Sequence, residues 1–212
     1  MMRSARFLIL AMLAALLLSG CEQLFTTNLL SGLERDPSKL SFEGQVNYAR
    51  QALRSGDAST QAKAYDALAA SLASRNNTDP ELNSLAATLA LGASGLPGIL
   101  GDLIDVATGD GFNDSASLAA ALDAQLGNVN YDYVDAAVDQ ILATRNNGGT
   151  PTESQYVFAL VGLVLKAGAE QNGIDNVDAD EWDEVDALRA LLILDHPESD
   201  FIQQFDDLTT DP

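Results

Sequence analysis

An all-α fold follows from three features of this 212-residue chain. Apolar residues recur at the three-to-four spacing of a helical face, and nearly every such stretch is bounded by capping residues. No run alternates with the two-residue period of a half-buried strand, and no Asn-Gly or Asp-Gly is flanked by two such runs. Alanine and leucine dominate and aromatics are few, as in helix-rich proteins.

The first marked helix runs from Phe42 to Ser55, with Ser41 placed to cap it, Val46, Ala49 and Leu53 on one stripe, and Gly56 just past its end. Its partner covers Ala58 to Arg75, where Ala62, Tyr65, Leu68, Ala69 and Leu72 share a face and Asn76-Asn77 ends the pattern. Asp79 and Pro80 open a third helix to Ala93, since proline has no amide proton to leave unsatisfied in a first turn. Ser94 to Gly98, with Pro97, breaks the pattern, and a short helix from Ile99 to Ala107 leads into the loop Gly109 to Asp114. Two further helices, one capped by Ser115 and reaching Leu126, the other from Tyr131, after Asn130, to Arg145, form a second pair of similar span. Thr150-Pro151-Thr152-Glu153 matches a capping box, in which threonine and glutamate each satisfy a free amide of the first turn. It starts the most apolar helix, Pro151 to Asn172. Tyr156 to Leu165 is hydrophobic all round, which suits a helix surrounded by others. The span between caps is far longer than an ordinary strand. Helices over Ala179 to Leu194 and Asp200 to Leu208 complete the chain.

Helices joined by short loops lie antiparallel to their neighbours, so stacked pairs give either a short solenoid or a compact multi-helix bundle. In the first pair, Val46, Ala49, Ala52-Leu53, Gly56-Asp57, Tyr65 and Leu68 resemble a tetratricopeptide unit over about 34 residues, with Gly-Asp at the turn. The sequence departs from that pattern at Gln61, where the unit has a small residue, and at Ala73, where a proline usually closes it. The resemblance implies stacked helix pairs, and later pairs match it less well.

Ahead of these helices, Arg3 and Arg6 precede twelve apolar residues, Phe7 to Leu18, and then Ser19-Gly20-Cys21. A membrane-spanning helix needs about 20 apolar residues, whereas this pattern is that of a signal-peptide core. Leu18-Ser19-Gly20-Cys21 resembles the lipobox of bacterial lipoproteins, at which signal peptidase II cleaves after lipidation of the thiol. The resemblance implies that residues 1–20 are removed, that Cys21 carries lipid, and that residues 21–40 tether a single helical domain, 41–212, to a membrane of the bacterial cell envelope. The domain then sits on the periplasmic or outer face. Two or more acyl chains hold a protein on a bilayer where one does so only marginally. Cys21 is the only cysteine, so no internal disulfide supports the exported domain.

Without residues 1–20 the chain keeps nine Lys and Arg against 31 Asp and Glu, a formal charge of −22. Such a surface repels phosphate backbones and anionic headgroups, which excludes nucleic acid as a partner and leaves lipid as the means of membrane attachment. The acidity suits solubility or a salty environment, or a surface for cations or a basic protein.

No catalytic, metal or cofactor motif is legible. Asp175, Asp178, Asp180, Glu181, Asp183, Glu184 and Asp186 form the densest acidic cluster, but an EF-hand loop from Asp178 would need an oxygen donor at Trp182 and glycine at Asp183. Acids in a helix first turn complement the dipole and account for the cluster. Asp110, Asn113 and Asp114 are explained as loop and cap residues. His196, the only histidine, falls between Asp195 and Pro197 past a helix end, where a surface capping role is expected. With one histidine and one cysteine the chain cannot build a Cys-His pair or a multi-histidine zinc site. No serine lies in Gly-x-Ser-x-Gly.

The glycine-rich apolar stretch containing Leu96, Ile99 and Leu100, together with Tyr131 and Tyr133, is the expected partner or ligand surface. The sequence thus points to a non-enzymatic, cofactor-free, lipid-anchored helical protein that binds a protein or peptide as an envelope scaffold or assembly factor. The alternative is a small-molecule-binding accessory lipoprotein of a transporter. An internal apolar pocket favours the second, and an open concave face favours the first.

Overall fold

Helix starts are set by side chains that accept from the free amides of the first turn. In the computed structural model, which describes residues 36–99, 127–171 and 182–199, Ser41 opens α1 (Phe42–Ser55) and Asp57 opens α2 (Ala58–Ser74). Asp79 opens α3 (Pro80–Ala93), Asn130 opens α4 (Tyr131–Asn146), and Thr152 opens α5 (Glu153–Glu170). The last described helix, α6, spans Trp182–Asp195. Asp57 Oδ1 accepts from both the amide and the hydroxyl of Thr60, at 2.7 and 2.6 Å, and these bonds hold its carboxyl below the usual range. Gly56 ends α1 in the left-handed region at φ 66°, where a side chain would be strained.

These elements match the expected helices within a residue or two at most ends, and the described residues contain no strand. Three details differ. The capping box lies two residues later than Thr150-Glu153: Thr152 accepts from the Gln155 amide, and Gln155 Oε1 accepts from the Thr152 amide at 2.9 Å. Pro151 is buried outside the helix, so the box had to form after it. Helical backbone resumes at residues 96–99, inside the expected break, with Pro97 in its first turn. Ahead of α1, a 3-10 turn at Pro37–Lys39 packs on α1 and α2 with Pro37 buried, so the packed chain begins before Ser41. The helices expected at 99–107, 115–126 and 200–208 lie mostly or wholly outside the described residues, as do Cys21 and the loop at 109–114.

The helices pack as an all-α multi-helix bundle organised around α3, which touches α1, α2, α4 and α5 and makes its broadest contact with α4. One side of α3, through Leu82, Ala86 and Leu89, closes a core with Ala49, Ala52, Leu68 and Leu72 of the first pair. Its other side, through Ala87, Ala90 and Leu91, closes a second core with Val134, Ile141, Tyr156, Leu160, Val185 and Leu192. The most surrounded helix is therefore the alanine-rich α3. α5, apolar throughout from Tyr156 to Leu165, keeps Val157, Phe158, Val161 and Val164 only half-buried. Small side chains allow neighbours to approach on every side. At Gly162 of α5, a Cβ would lie 2.7 Å from Val134 and 2.8 Å from Leu96, so that crossing needs glycine.

Candidate functional site

Where the end of α1, the start of α2, the second half of α3 and the start of α5 converge, they leave a partly enclosed cavity of about 580 Å³. Its walls include Leu53, Leu91, Pro97 and Phe158, and the polar residues on it are Gln61, Thr88, Thr152, Ser154 and Gln155. Among the described residues, no charged side chain lines it.

Three buried glutamines show how the chain treats this region. Gln45 donates to Leu40 O at 3.2 Å and accepts from the Ser71 hydroxyl. Gln155 donates to Ser84 O at 2.8 Å and Thr88 Oγ1 at 2.9 Å, while its oxygen completes the cap of α5. Gln61, 6% exposed, has a side-chain amide with no hydrogen bond among the described residues, and its Oε1 is sealed from solvent. An unsatisfied buried acceptor costs roughly 1–3 kcal/mol. Asn83 Nδ2 is also bare, but Asn83 does not line the cavity.

Gln61 fits only because it faces Gly92. A Cβ on Gly92 would fall 1.4 Å from Gln61 Oε1 and 2.5 Å from its Cδ, so the amide occupies the space of the missing side chain. The inward stripe of α2 is consequently Gln61, Ala64, Leu68 and Leu72, with Ala62 and Ala69 half-exposed beside it. Neither Gln61 nor Gly92 is found by searching for reactive groups. The available signal was the departure from the tetratricopeptide pattern, where a bulky amide replaces a small residue; the compensating glycine lies 31 positions away.

The residues expected to form a binding surface are dispersed. Leu96 and Ile99 are buried in the second core and present no surface, Leu96 packing where Gly162 of α5 has no side chain. Their neighbours Pro97 and Gly98 reach the cavity instead. Leu100 lies outside the described residues. Tyr131 and Tyr133 do not line the cavity. Tyr131 packs on the second core, and Tyr133 bridges α4 to α2, edge-on to Tyr65 at 5.7 Å and donating to Asp66 Oδ1 at 3.2 Å. Burial, reinforced by Asp66, pushes the Tyr133 phenol up.

A polar cluster joins α4, α5 and α6. Asp195 accepts from the fully buried Tyr156 hydroxyl at 2.6 Å and from Arg145 Nε at 3.1 and 3.2 Å. Burial, then the bond to Asp195, drives the Tyr156 phenol well above its ordinary value, with Arg145 opposing. His196 is not a surface cap: its Nε2 lies 2.8 Å from Pro151 O and its ring meets Tyr156 edge-on at 6.1 Å. Asp195, Tyr156, Arg145 and His196 are each tied to another residue of the protein and none of the four lines the cavity, so the cluster braces helix ends.

Among the described residues no three His, Cys, Asp or Glu side chains are grouped to hold a metal ion, and no helix is long and apolar enough to cross a membrane. Of the acidic cluster at 175–186, Asp183, Glu184 and Asp186 are exposed on α6, while Asp175, Asp178, Asp180 and Glu181 lie outside the described residues. Comparison with family profiles, curated proteins and solved structures gives no match.

Proposed function

We propose that this protein is a lipid-anchored binding protein of the bacterial cell envelope, held by acyl chains on Cys21, whose helical domain takes up a small apolar molecule as an accessory to transport. The observation that carries this is the cavity. At about 580 Å³ it falls within the range of small-molecule sites, and it has their character, an apolar wall with a few placed polar groups. Its uncharged lining favours an uncharged occupant, because an unpaired ion costs several kcal/mol to desolvate there. The protein acts by binding, without a cofactor, and its acidity rules against nucleic acid.

Docking of a protein or peptide partner is the second reading. It is supported by Ile193 and Leu194, exposed side by side on α6 at 36% and 66%. Such residues on one helix provide an apolar anchor point, but isolated exposed apolar side chains are common.

Purification of the native protein from membranes, followed by organic extraction and mass spectrometry, tests the function. One uncharged apolar compound, recovered near one per protein and absent from another lipoprotein prepared alongside, is expected. A stoichiometric protein partner with no such compound would replace this function by the scaffold role.

A further inference from the structure

The cavity that carries the proposed function also contains the bare amide of Gln61, and the contrast with Gln155 shows what that amide is suited to do. Both side chains are almost wholly buried and both line the cavity. Gln155 is tied on both of its atoms by α3 and by its own cap, so it forms fixed wall. Gln61 has donors and an acceptor and no partner for either among the described residues. Its oxygen rests on Gly92, which leaves room for the amide to lie there. As placed, that oxygen is closed off from the cavity; the terminal torsion of glutamine is broad, so on binding the amide turns to bring its oxygen and N–H edge together to the cavity at little cost.

We infer that Gln61 is the polar recognition group of the site and that the ligand is an uncharged apolar molecule bearing a carboxamide-like group, which pairs with the Gln61 amide as donor and acceptor together. This rests on the cavity being a small-molecule site. A ligand with both functions satisfies the orphaned oxygen and uses the free N–H groups in one planar pairing. An ester of the same shape offers no donor and leaves the oxygen bare. A carboxylate brings a charge into a lining that has none to match it. Gly92 is a positioning residue, because its missing side chain is what admits the amide.

Matched pyrene probes separate these cases: pyrene-1-carboxamide, methyl pyrene-1-carboxylate and pyrene-1-carboxylate, titrated into the processed, lipidated protein in phosphatidylcholine vesicles. Energy transfer from Trp182, the only tryptophan, reports saturable binding above protein-free vesicles. The carboxamide is expected to bind about tenfold more tightly than the ester, the effect of one well-made hydrogen-bond set, and the carboxylate not to saturate. Gln61→Leu should bring carboxamide and ester to equal affinity. Gly92→Ala, which puts a carbon where the Gln61 oxygen lies, should also erase the preference and serves if Gln61→Leu does not fold. Equal binding of carboxamide and ester by the parent protein, or a preference that survives either folded variant, overturns the role of Gln61 and leaves the cavity standing. Absence of saturable binding by all three probes overturns the site itself.

Discussion

Asp195→Ala is expected to destabilise the helical domain by about 3 kcal/mol, seen as a fall in Tm of about 10 °C. Asp195 is the common acceptor for Tyr156 of α5 and Arg145 of α4, and it stands at the last turn of α6. Removing it strands a phenol donor with no exposed surface and a guanidinium whose side chain is 29% exposed. The partial exposure of Arg145 keeps the loss at the lower end of what breaking a buried pair costs, since water can reach the cation. The net charge provides a sign test. With 31 acids against 11 basic residues in the whole chain, relief of repulsion alone would make loss of an aspartate stabilising. A fall in Tm therefore assigns the effect to the cluster, and a rise would show that the three helix ends do not depend on it. Tyr156→Phe should cost less, about 1 kcal/mol, because Asp195 keeps Arg145 as its partner.

Cys21→Ala is expected to abolish lipid attachment and block removal of residues 1–20, while the domain still folds. The thiol is the only cysteine sulfur in the chain, so no other residue can take the acyl chains through that chemistry. The acidic surface cannot substitute electrostatically, because it carries the same sign as anionic headgroups. Labelling with radioactive fatty acid, together with the mass of the protein, reads both effects. Labelled, fully processed protein from the variant would refute the anchor. The fold of the helical domain, measured by circular dichroism, is expected to be unchanged, since both described cores are built from the helices after Ser41.

The helices were legible because each carries its own punctuation. Ser41 and Asp79 stand at the expected caps, Asn130 stands directly before the expected start of its helix, and the three-to-four spacing between such signals specifies one period. Depth within the bundle was not legible. Hydrophobicity marked α5 as the surrounded helix, yet α3 is buried on more sides because its alanines admit close neighbours, a property of packing partners rather than of one segment. The stretch at Leu96 and Ile99 has the same ambiguity: apolar residues among glycines suit either a groove or a tight crossing, and Gly162 on a different helix decides for the crossing. Gln61 was visible as an irregularity but not as a site, since its meaning depends on Gly92 across the helix interface and on partners that it does not have.

The central claim is that this domain binds through the cavity between α1, α2, α3 and α5, and not through the outer face of α6. Hydrogen–deuterium exchange of the lipidated protein, with and without saturating pyrene-1-carboxamide, tests it most directly. The account predicts slowed exchange over residues 53–61, 88–98 and 152–158, with α6 unchanged. Protection confined to Ile193, Leu194 and their neighbours on α6, with the cavity walls unaffected, would contradict it.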